Sequence, residues 1–346
     1  MQTKEKAKVI EAKELRAQER AKLQDVIPLS TPYVVYIDPT NLCNFKCTFC
    51  PTSDLPLLKQ VGRKQTSMDL ATFKKVIDDI AQFDTKLKLL SLYKDGEPLV
   101  NKDFVEMVRY AKKANVAERI WTKTNGSLLN PELNSRLIEA GLDMIHISVE
   151  SVSAEGYFEI ADVRIDYEAF RDNIRDFYDK RGNCKMYIKI IDCNLSEADK
   201  GKFYNDFGNI CDFISIEKLM GWSYSDIKDF TLGIESDTYD GLPLVKKNVC
   251  AYPFYVMAVN ADCSVSVCGN DWSYKTAVGN VREQSMKEIW NSDAMFELRK
   301  MFLENRRHEN KACADCYYLQ IVPDNIDPYA GQILTKLEEG RGNHAE

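Results

Sequence analysis

Cys43-Asn44-Phe45-Lys46-Cys47-Thr48-Phe49-Cys50 follows the strand-like run Tyr33-Val34-Val35-Tyr36-Ile37 and contains three cysteines in the spacing C-x3-C-x2-C. Three thiolates can bind three irons of a four-iron cluster, which leaves the fourth iron without a protein ligand. A zinc site is the weaker interpretation, because tetrahedral zinc usually takes paired C-x2-C units or a histidine, and no histidine is near these cysteines. The stretch therefore predicts a cluster with one iron open for chemistry.

This motif, in which the aromatic residue Phe49 precedes the last cysteine, resembles the signature of the radical S-adenosylmethionine (radical SAM) enzymes. The resemblance implies that Cys43, Cys47 and Cys50 bind a 4Fe-4S cluster and that S-adenosylmethionine binds its open iron. It also implies that an electron, supplied by a flavodoxin- or ferredoxin-type donor, splits the sulfonium. The resulting 5'-deoxyadenosyl radical would take a hydrogen atom from the substrate.

The composition sets limits on the class of protein. A chain of 346 residues, 45% hydrophobic and 29% charged, has room for a core of about 200 residues and a smaller domain. A formal charge of -7 without clustered basic residues outside the N-terminus argues against a nucleic-acid partner. The eleven cysteines come without a secretory leader or an apolar anchor, so we expect intracellular metal ligands, a cytoplasmic location and no membrane partner.

The order of apolar and periodic segments predicts an α/β fold. Good helix formers in residues 2–24 predict a surface helix in an N-terminal segment 1–30. In the expected core, 31–235, short apolar runs alternate with segments of helical period, which indicates parallel strands joined by crossover helices. Strands are predicted near 33–38, 87–93, 118–123, 144–149, 185–191 and 213–217, and helices near 69–82, 102–114, 130–140, 166–180, 196–207 and 223–230. Six strands are too few for a closed eight-stranded barrel, so we predict a partial (β/α)6 TIM-like barrel.

Ligands of such sheets bind at the carboxyl ends of the strands, so the residues that follow each apolar run are the candidate site. After the second predicted strand, Lys94-Asp95-Gly96-Glu97-Pro98 is similar to the family segment that receives the methionyl amino group of the cofactor. After the third and fourth strands, Thr124-Asn125-Gly126 and Ser148-Val149-Glu150 resemble segments that face its ribose and carboxylate. Glu150 stands where the family usually has aspartate. The resemblance implies cofactor contacts from Phe49, Gly96, Glu97, Pro98, Thr124, Asn125, Ser148 and Glu150.

A second group of cysteines lies near the C-terminus: Cys250, Cys268, Cys313 and Cys316. Four sulfurs make a closed site, and on spacing alone structural zinc and a second four-iron cluster are about equally good interpretations. With Val278-Gly279-Asn280-Val281 and Ile289-Trp290-Asn291-Ser292, they resemble the twitch domain, a shortened SPASM extension of radical SAM enzymes. The resemblance implies a second 4Fe-4S cluster in a small α+β domain over 236–325, followed by a C-terminal tail over 326–346.

Some enzymes with this extension oxidise a secondary alcohol to a ketone, so the resemblance implies an oxidoreductase acting on a sugar or aminocyclitol-like small molecule. The base would then be Asp192, Glu217, Lys189 or Lys218, each at a predicted strand end or close to one. If a thiol of Cys193 or Cys263 returned a hydrogen atom instead, the enzyme would be an epimerase.

Two further functions remain open at this stage. A peptide-modifying maturase is less favoured, because the 30 residues before the first predicted strand are too few for a leader-binding domain of about 80 residues. A non-catalytic iron–sulfur or zinc scaffold is the alternative from a different class.

Overall fold

The computed structural model describes residues 8–9, 21–224, 227–234 and 245–342. A ten-stranded sheet runs through these ranges, in the spatial order β1-β7-β6-β5-β4-β3-β2-β8-β9-β10. Its strands are β1 Lys8–Val9, β2 Val34–Ile37, β3 Leu89–Ser91, β4 Ile120–Thr124, β5 Met144–Val149, β6 Lys185–Asp192, β7 Phe213–Lys218, β8 Val256–Val259, β9 Ser264–Ser266 and β10 Ala277–Asn280. Strands β2 to β7 are parallel neighbours, as in a partial barrel, while β9 pairs antiparallel with β8 and β10.

Helices connect the parallel strands and cover the outside of the sheet. The described α-helices are α1 Leu23–Val26, α2 Leu55–Val61, α3 Leu70–Ile80, α4 Phe104–Ala114, α5 Pro131–Ala140, α6 Ala154–Ala161, α7 Tyr167–Lys180, α8 Glu197–Phe207, α9 Met286–Trp290, α10 Asp293–Leu303, α11 Lys311–Ala314, α12 Tyr318–Ile321 and α13 Ala330–Gly342. Within the described ranges, no helix combines the length and apolar character needed to cross a membrane.

Local sequence signals account for the ends of these helices. Asn130 caps α5 by accepting from the Leu133 N–H, and Gly141 ends this helix with a left-handed φ of 90°, a conformation that is easy only for glycine. Ser196 and Asp199 form a reciprocal capping box at the start of α8, which satisfies N–H groups that have no partner inside the helix.

The six core strands and the first five predicted helices are confirmed, and with them the partial barrel. The helix predicted near 223–230 is wrong, because residues 223–224 and 227–230 are not helical. The helix predicted within residues 2–24 is wrong at Lys8–Val9, a strand that pairs with β7, whereas Leu23 and Gln24 lie in α1. The rest of residues 1–20 lie outside the described part. The expected C-terminal tail contains α13, whose Ile333 and Leu337 are buried.

The parallel strands place alternate side chains on opposite faces. Ile145, Ile147 and Ile188 point outward into the hydrophobic core beneath the helices, while Ser148 and Lys189 face the barrel interior at its carboxyl end. Since β8 pairs in parallel with β2, the same sheet continues into the C-terminal part. The predicted domain boundaries stay predictions, but no break in the sheet separates the two cysteine groups.

Candidate active site

A cavity of about 280 Å³ opens at the carboxyl ends of the parallel strands. Cys43, Cys47 and Cys50 all line it, because the loop that follows β2 returns over the barrel. This loop is fixed to α6 by two backbone hydrogen bonds, from Lys46 N–H and Thr48 N–H. The three thiols predicted to be ligands therefore face a single space.

The chemistry of these thiols fits an iron–sulfur cluster. Burial, together with neighbouring anionic groups, raises the pKa of Cys43 to about 12 and also raises the pKa of Cys47 and Cys50. Without a cation the three thiols would keep their protons, and bound iron is what makes three adjacent thiolates stable. Three cysteines without a histidine nearby in the sequence suit a four-iron cluster better than tetrahedral zinc.

Gly96 allows the turn after β3 to pack directly under the cysteine loop. A Cβ at this position would lie 2.2 Å from the Thr40 carbonyl oxygen and 2.5 Å from that of Leu42. Both carbonyls belong to backbone that immediately precedes Cys43, so neither can move without moving the ligand. Glycine is thus required at position 96 because the two backbone segments pack too closely to leave room for a side chain.

We expect Gly96→Ala to destabilise the protein by about 3 kcal/mol and to reduce iron bound at the first cysteine group. Chemical denaturation and iron analysis would measure the two effects. Gly201→Ala is the matched control, because a Cβ there meets nothing within 4 Å and Gly201 lies inside α8, where alanine is the better helix former. A Gly96→Ala protein with the stability and iron content of this control would contradict the packing argument.

Glu97 is buried and organises the next turn of the site. Its carboxylate accepts from the Leu99 N–H at 3.0 Å, the Thr124 hydroxyl at 2.7 Å and the Asn125 N–H at 2.7 Å. Burial nevertheless raises the pKa of Glu97 to about 7. The Asn125 side chain then donates to Asn44 of the cysteine loop at 2.9 Å, so this network joins β4 to the first cysteine group.

Glu150 is a second cavity carboxylate whose pKa is raised. Burial raises the pKa of Glu150 to about 7, against the lowering effect of Lys189 and Lys123. Among the described residues, no hydrogen bond or ion pair reaches its carboxylate oxygens, while its backbone N–H donates to the Tyr157 hydroxyl at 3.3 Å. A carboxylate kept at a cavity wall without a protein partner is available to a ligand.

This environment predicts that Glu150→Gln stabilises the metal-free protein at pH 7.5, by about 1–2 kcal/mol, and has little effect at pH 5. The unfolded chain releases the Glu150 proton near pH 4.5, whereas the folded chain holds it to about pH 7. Stability contributed by this group therefore falls as the pH rises between these values. Denaturant titrations at pH 7.5 and pH 5 would measure this change in the free energy of unfolding.

Glu217→Gln is the matched control for that experiment, because the pKa of Glu217 is lowered whereas that of Glu150 is raised. Burial raises the pKa of Glu217, but Lys189 and Lys123 outweigh burial and hold it at about 2. Replacing it should destabilise the protein at both pH values. If Glu150→Gln destabilised the protein at pH 7.5, this result would show that the Glu150 carboxylate has a structural partner.

Glu217 and Lys189 form an ion pair on the barrel wall. The Lys189 Nζ lies 2.5 Å from one Glu217 oxygen, and the Tyr187 hydroxyl donates to the other at 2.8 Å. Glu217, Lys189 and Lys218 line the cavity. Asp192 is not among the lining residues, because its carboxylate accepts from the Leu195 N–H and pairs with a lysine of α8.

The second cysteine group lines a separate and smaller cavity. Cys250, Cys268, Cys313 and Cys316 line one cavity of about 30 Å³. Burial raises the pKa of each thiol, to about 12 for Cys250, with the other cysteines of the group adding to the effect for Cys313. Four thiols in one enclosed space fit a cluster ligated entirely by protein.

Two tyrosines connect the two cavities. Tyr252 and Tyr318 line both the large and the small cavity, and their hydroxyls are 3.2 Å apart. Tyr252 follows Cys250 by two residues, and Tyr318 follows Cys316 by two. Tyr36 lies beside them, with its ring 3.1 Å from the position of a Cβ on Gly269. One layer of aromatic side chains therefore lies between the two cysteine sites.

Most of the residues predicted for cofactor contact come together in the large cavity. Phe49, Gly96, Glu97, Thr124, Asn125, Ser148 and Glu150 line it, whereas Pro98 begins a short 3-10 helix outside the lining. Cys193 is half-buried and is not a lining residue. Cys263 is buried in the turn between β8 and β9, with a left-handed φ of 76°, and it is not a lining residue either.

Several lining residues were not predicted from the sequence: Tyr36, Tyr93, Lys94, Lys123, Asn270, Tyr252 and Tyr318. For three of them a signal was present, since Lys94 belongs to the quoted turn and the last two tyrosines follow ligand cysteines. Trp222 also lines the cavity and donates to the Phe49 carbonyl at 3.0 Å.

Comparisons with known proteins agree with this geometry. Residues 37–192 match the model of the radical SAM superfamily, and residues 250–317 match that of an iron–sulfur cluster-binding domain. Fe-coproporphyrin III synthase of Methanosarcina barkeri (strain Fusaro / DSM 804) is 30% identical over an alignment of 346 positions. The alignment covers 85% of this chain and 83% of that protein. S-adenosyl-L-methionine-dependent 2-deoxy-scyllo-inosamine dehydrogenase of Niallia circulans is 23% identical over 298 residues, 86% of this chain and 97% of the relative.

Solved structures share the fold at lower identity. BtrN in complex with AdoMet and 2-DOIA has a TM-score of 0.52 at 20% identity, covering 82% of this chain and 92% of that chain. Streptococcus suis SuiB bound to S-adenosylmethionine has a TM-score of 0.60 at 16% identity, covering 90% of this chain and 76% of that chain. These likenesses concern the fold and leave the substrate open.

Proposed function

The chain belongs to the radical SAM superfamily and carries a C-terminal iron–sulfur cluster-binding domain, and from this we propose that it oxidises a carbinol carbon of a carbohydrate or aminocyclitol-like molecule to a ketone. When bound, S-adenosylmethionine and the two clusters supply a hydrogen-abstracting nucleoside radical and an electron acceptor. Overall the substrate loses one hydrogen atom to the nucleoside, one proton to the protein and one electron to the second cluster.

The observation that carries the proposal is the shared wall of Tyr252 and Tyr318. An oxidation requires an electron to pass from the substrate cavity to the second cysteine site, and these two side chains border both spaces. A second cluster that served only to stabilise the fold would not need to adjoin the cavity. The dehydrogenase of Niallia circulans, related over most of both chains, supports the same reaction class.

The residues around the cavity suit the cofactor as follows. Cys43, Cys47 and Cys50 would hold the first cluster, and Glu97 offers a carboxylate for the methionyl ammonium, although three donors already bind it. Glu150 would accept from a ribose hydroxyl, because its carboxylate has no partner among the described residues.

For the proton, Glu217 is the best placed of the predicted bases. It lines the cavity and is ionised at neutral pH, so its carboxylate can accept a hydrogen bond from the substrate hydroxyl, although its low pKa makes it a weak base. Lys189 and Tyr187 hold the carboxylate in one orientation. Asp192 is turned away to its own loop and to α8, and we do not assign it this role.

The lining also suits a small polyhydroxylated ring. Tyr36, Tyr93 and Trp222 offer aromatic surfaces, while Lys123 and Asn270 offer polar groups, a combination typical of small-molecule sites. The cysteine-dependent epimerase is less well supported. The cysteines among the described lining residues are Cys43, Cys47 and Cys50, all needed as ligands, whereas Cys193 and Cys263 lie outside the lining.

The test is turnover by the anaerobically reconstituted protein with S-adenosylmethionine, dithionite and a panel that includes 2-deoxy-scyllo-inosamine, other aminocyclitols, plain cyclitols and hexoses. We expect one panel member to form a ketone in a 1:1 ratio with 5'-deoxyadenosine. Deuterium from heavy water at an inverted carbon would instead indicate an epimerase. Turnover confined to peptides or tetrapyrroles, or no 5'-deoxyadenosine at all, would contradict the proposal.

A further inference from the structure

A group of charged side chains is buried between the two cysteine sites. We call Asp38, Arg63, Lys94 and Asp95 the buried charge cluster; each residue is at most 8% exposed. The Lys94 Nζ lies 2.6 Å from an Asp95 oxygen, and the Arg63 guanidinium lies 3.7 Å from the same oxygen. Removing such charges from water costs several kcal/mol each unless they are closely paired. We therefore expect the contacts of these four side chains to have a function.

On one side the buried charge cluster contacts the first cysteine loop. Thr52, two residues after Cys50, donates its hydroxyl to the Asp95 carbonyl at 2.8 Å and accepts from Arg63 at 3.4 Å. Arg63 and Asp95 therefore both contact a residue that lies two positions from a predicted cluster ligand.

On the other side it contacts the loop that carries Cys268. Lys94 donates to the Asp271 carbonyl at 2.8 Å, and Arg63 donates to the Trp272 carbonyl at 3.0 Å. Both carbonyls lie three to four residues after Cys268. The ring of Tyr274 in the same loop packs on both cations, 4.6 Å from Lys94 and 5.1 Å from Arg63. The two cations of the barrel therefore hold the loop of the second site.

We propose that Lys94 and Arg63 are positioning residues shared by both cluster sites, which fix the Cys268 loop against the Cys50 loop and whose buried charge raises the reduction potential of both clusters. Each cluster with its thiolates gains negative charge when reduced, and a nearby cation in a poorly polarisable interior makes that gain easier. The negative charge of Asp95 lowers both potentials, but the two positive charges of Lys94 and Arg63 exceed this single negative charge. Asp38 adds little negative charge, because burial and Asp95 raise its pKa to about 8.

The test compares midpoint potentials of the reconstituted full chain, measured by EPR-monitored redox titration without substrate. A Cys43→Ala/Cys47→Ala/Cys50→Ala background reports the second cluster alone. Lys94→Met should make reduction of either cluster about tenfold less favourable, about 59 mV lower for a one-electron couple. Asp95→Asn should shift both potentials upward, and Lys94→Met/Asp95→Asn, which removes one charge of each sign, should lie near the wild type. A purely structural role would not produce shifts of opposite sign.

Controls separate this inference from the proposed function. Lys94→Arg keeps the charge and should keep the potentials, and Lys88→Met removes an exposed lysine packed on Tyr33 and should shift neither. If Lys94→Met does not load iron, an upward shift in Asp95→Asn with unchanged Lys94→Arg supports the inference. Unchanged potentials in Asp95→Asn, or shifts of the same sign in Lys94→Met and Asp95→Asn, overturn it. A wild-type chain that binds no iron would refute the proposed function at an earlier step.

Discussion

Cys47→Ala should abolish the formation of 5'-deoxyadenosine. Cys47 is the middle ligand of the first group and faces the cavity together with Cys43 and Cys50. Outer-shell partners of a metal ligand are typically worth 10–100-fold in affinity or activity, so loss of a ligand itself should cost at least about 100-fold. The measurements are iron content after anaerobic reconstitution and 5'-deoxyadenosine released from S-adenosylmethionine under dithionite.

Cys211→Ala provides the matched control for the loss of a buried thiol. Cys211 is 1% exposed, its thiol donates to the Phe207 carbonyl at 3.2 Å, and it lines neither cysteine cavity. This variant should keep full iron content and cleavage of S-adenosylmethionine, with at most a modest loss of stability. If Cys47→Ala retained cleavage at the level of Cys211→Ala, the open-iron interpretation of the first motif would be refuted.

Cys313→Ala should separate the two halves of the reaction. Cys313 lines the small cavity with the other three thiols of the second group, and none of these four lines the large cavity. We therefore expect iron to fall from about eight to about four per chain, while S-adenosylmethionine is still cleaved. Ketone formation should drop at least about 100-fold, because the electron left on the substrate has no acceptor.

The decisive measurement is the ratio of ketone to 5'-deoxyadenosine, which should fall from near one in the wild type towards zero in Cys313→Ala. Cys316→Ala should behave in the same way, since both cysteines come from the same short segment. A variant that lost the second cluster and yet kept the wild-type ratio would show that the second site has no part in oxidation.

The three predicted ligands of the first group face one cavity because their placement depends on local information. Cys43, Cys47 and Cys50 lie within eight residues, so a single loop brings them together whatever the rest of the chain does. The Gly96-Glu97 turn was found for a similar reason, as it directly follows a strand whose carboxyl end must reach the site. What the sequence did not show is that Gly96 is required by the carbonyls of Thr40 and Leu42, a contact between separate segments.

Predictions of site residues failed where two segments distant in sequence had to be compared. Asp192 and Glu217 both end apolar strands and look equivalent in sequence, but the side chain of one is bound by its own loop and by α8, while the other faces the cavity. The helix expected near 223–230 was wrong because its described residues, 223–224 and 227–230, are irregular. Ser223 and the preceding Trp222 instead donate to the carbonyls of Asn270 and Phe49.

By itself, the sequence identified seven candidate cluster ligands, the six-strand α/β alternation and the kind of cofactor chemistry, because ligand type, spacing and hydrophobic period act over short stretches of chain. The tertiary structure alone decided that Tyr252 and Tyr318 join the two cavities, that Cys193 and Cys263 lie outside the large one, and that Arg63 and Lys94 are buried between the two sites. These facts depend on how β8 pairs with β2 and on which loops that pairing brings into contact. Such contacts between distant segments leave no periodic trace in a single sequence.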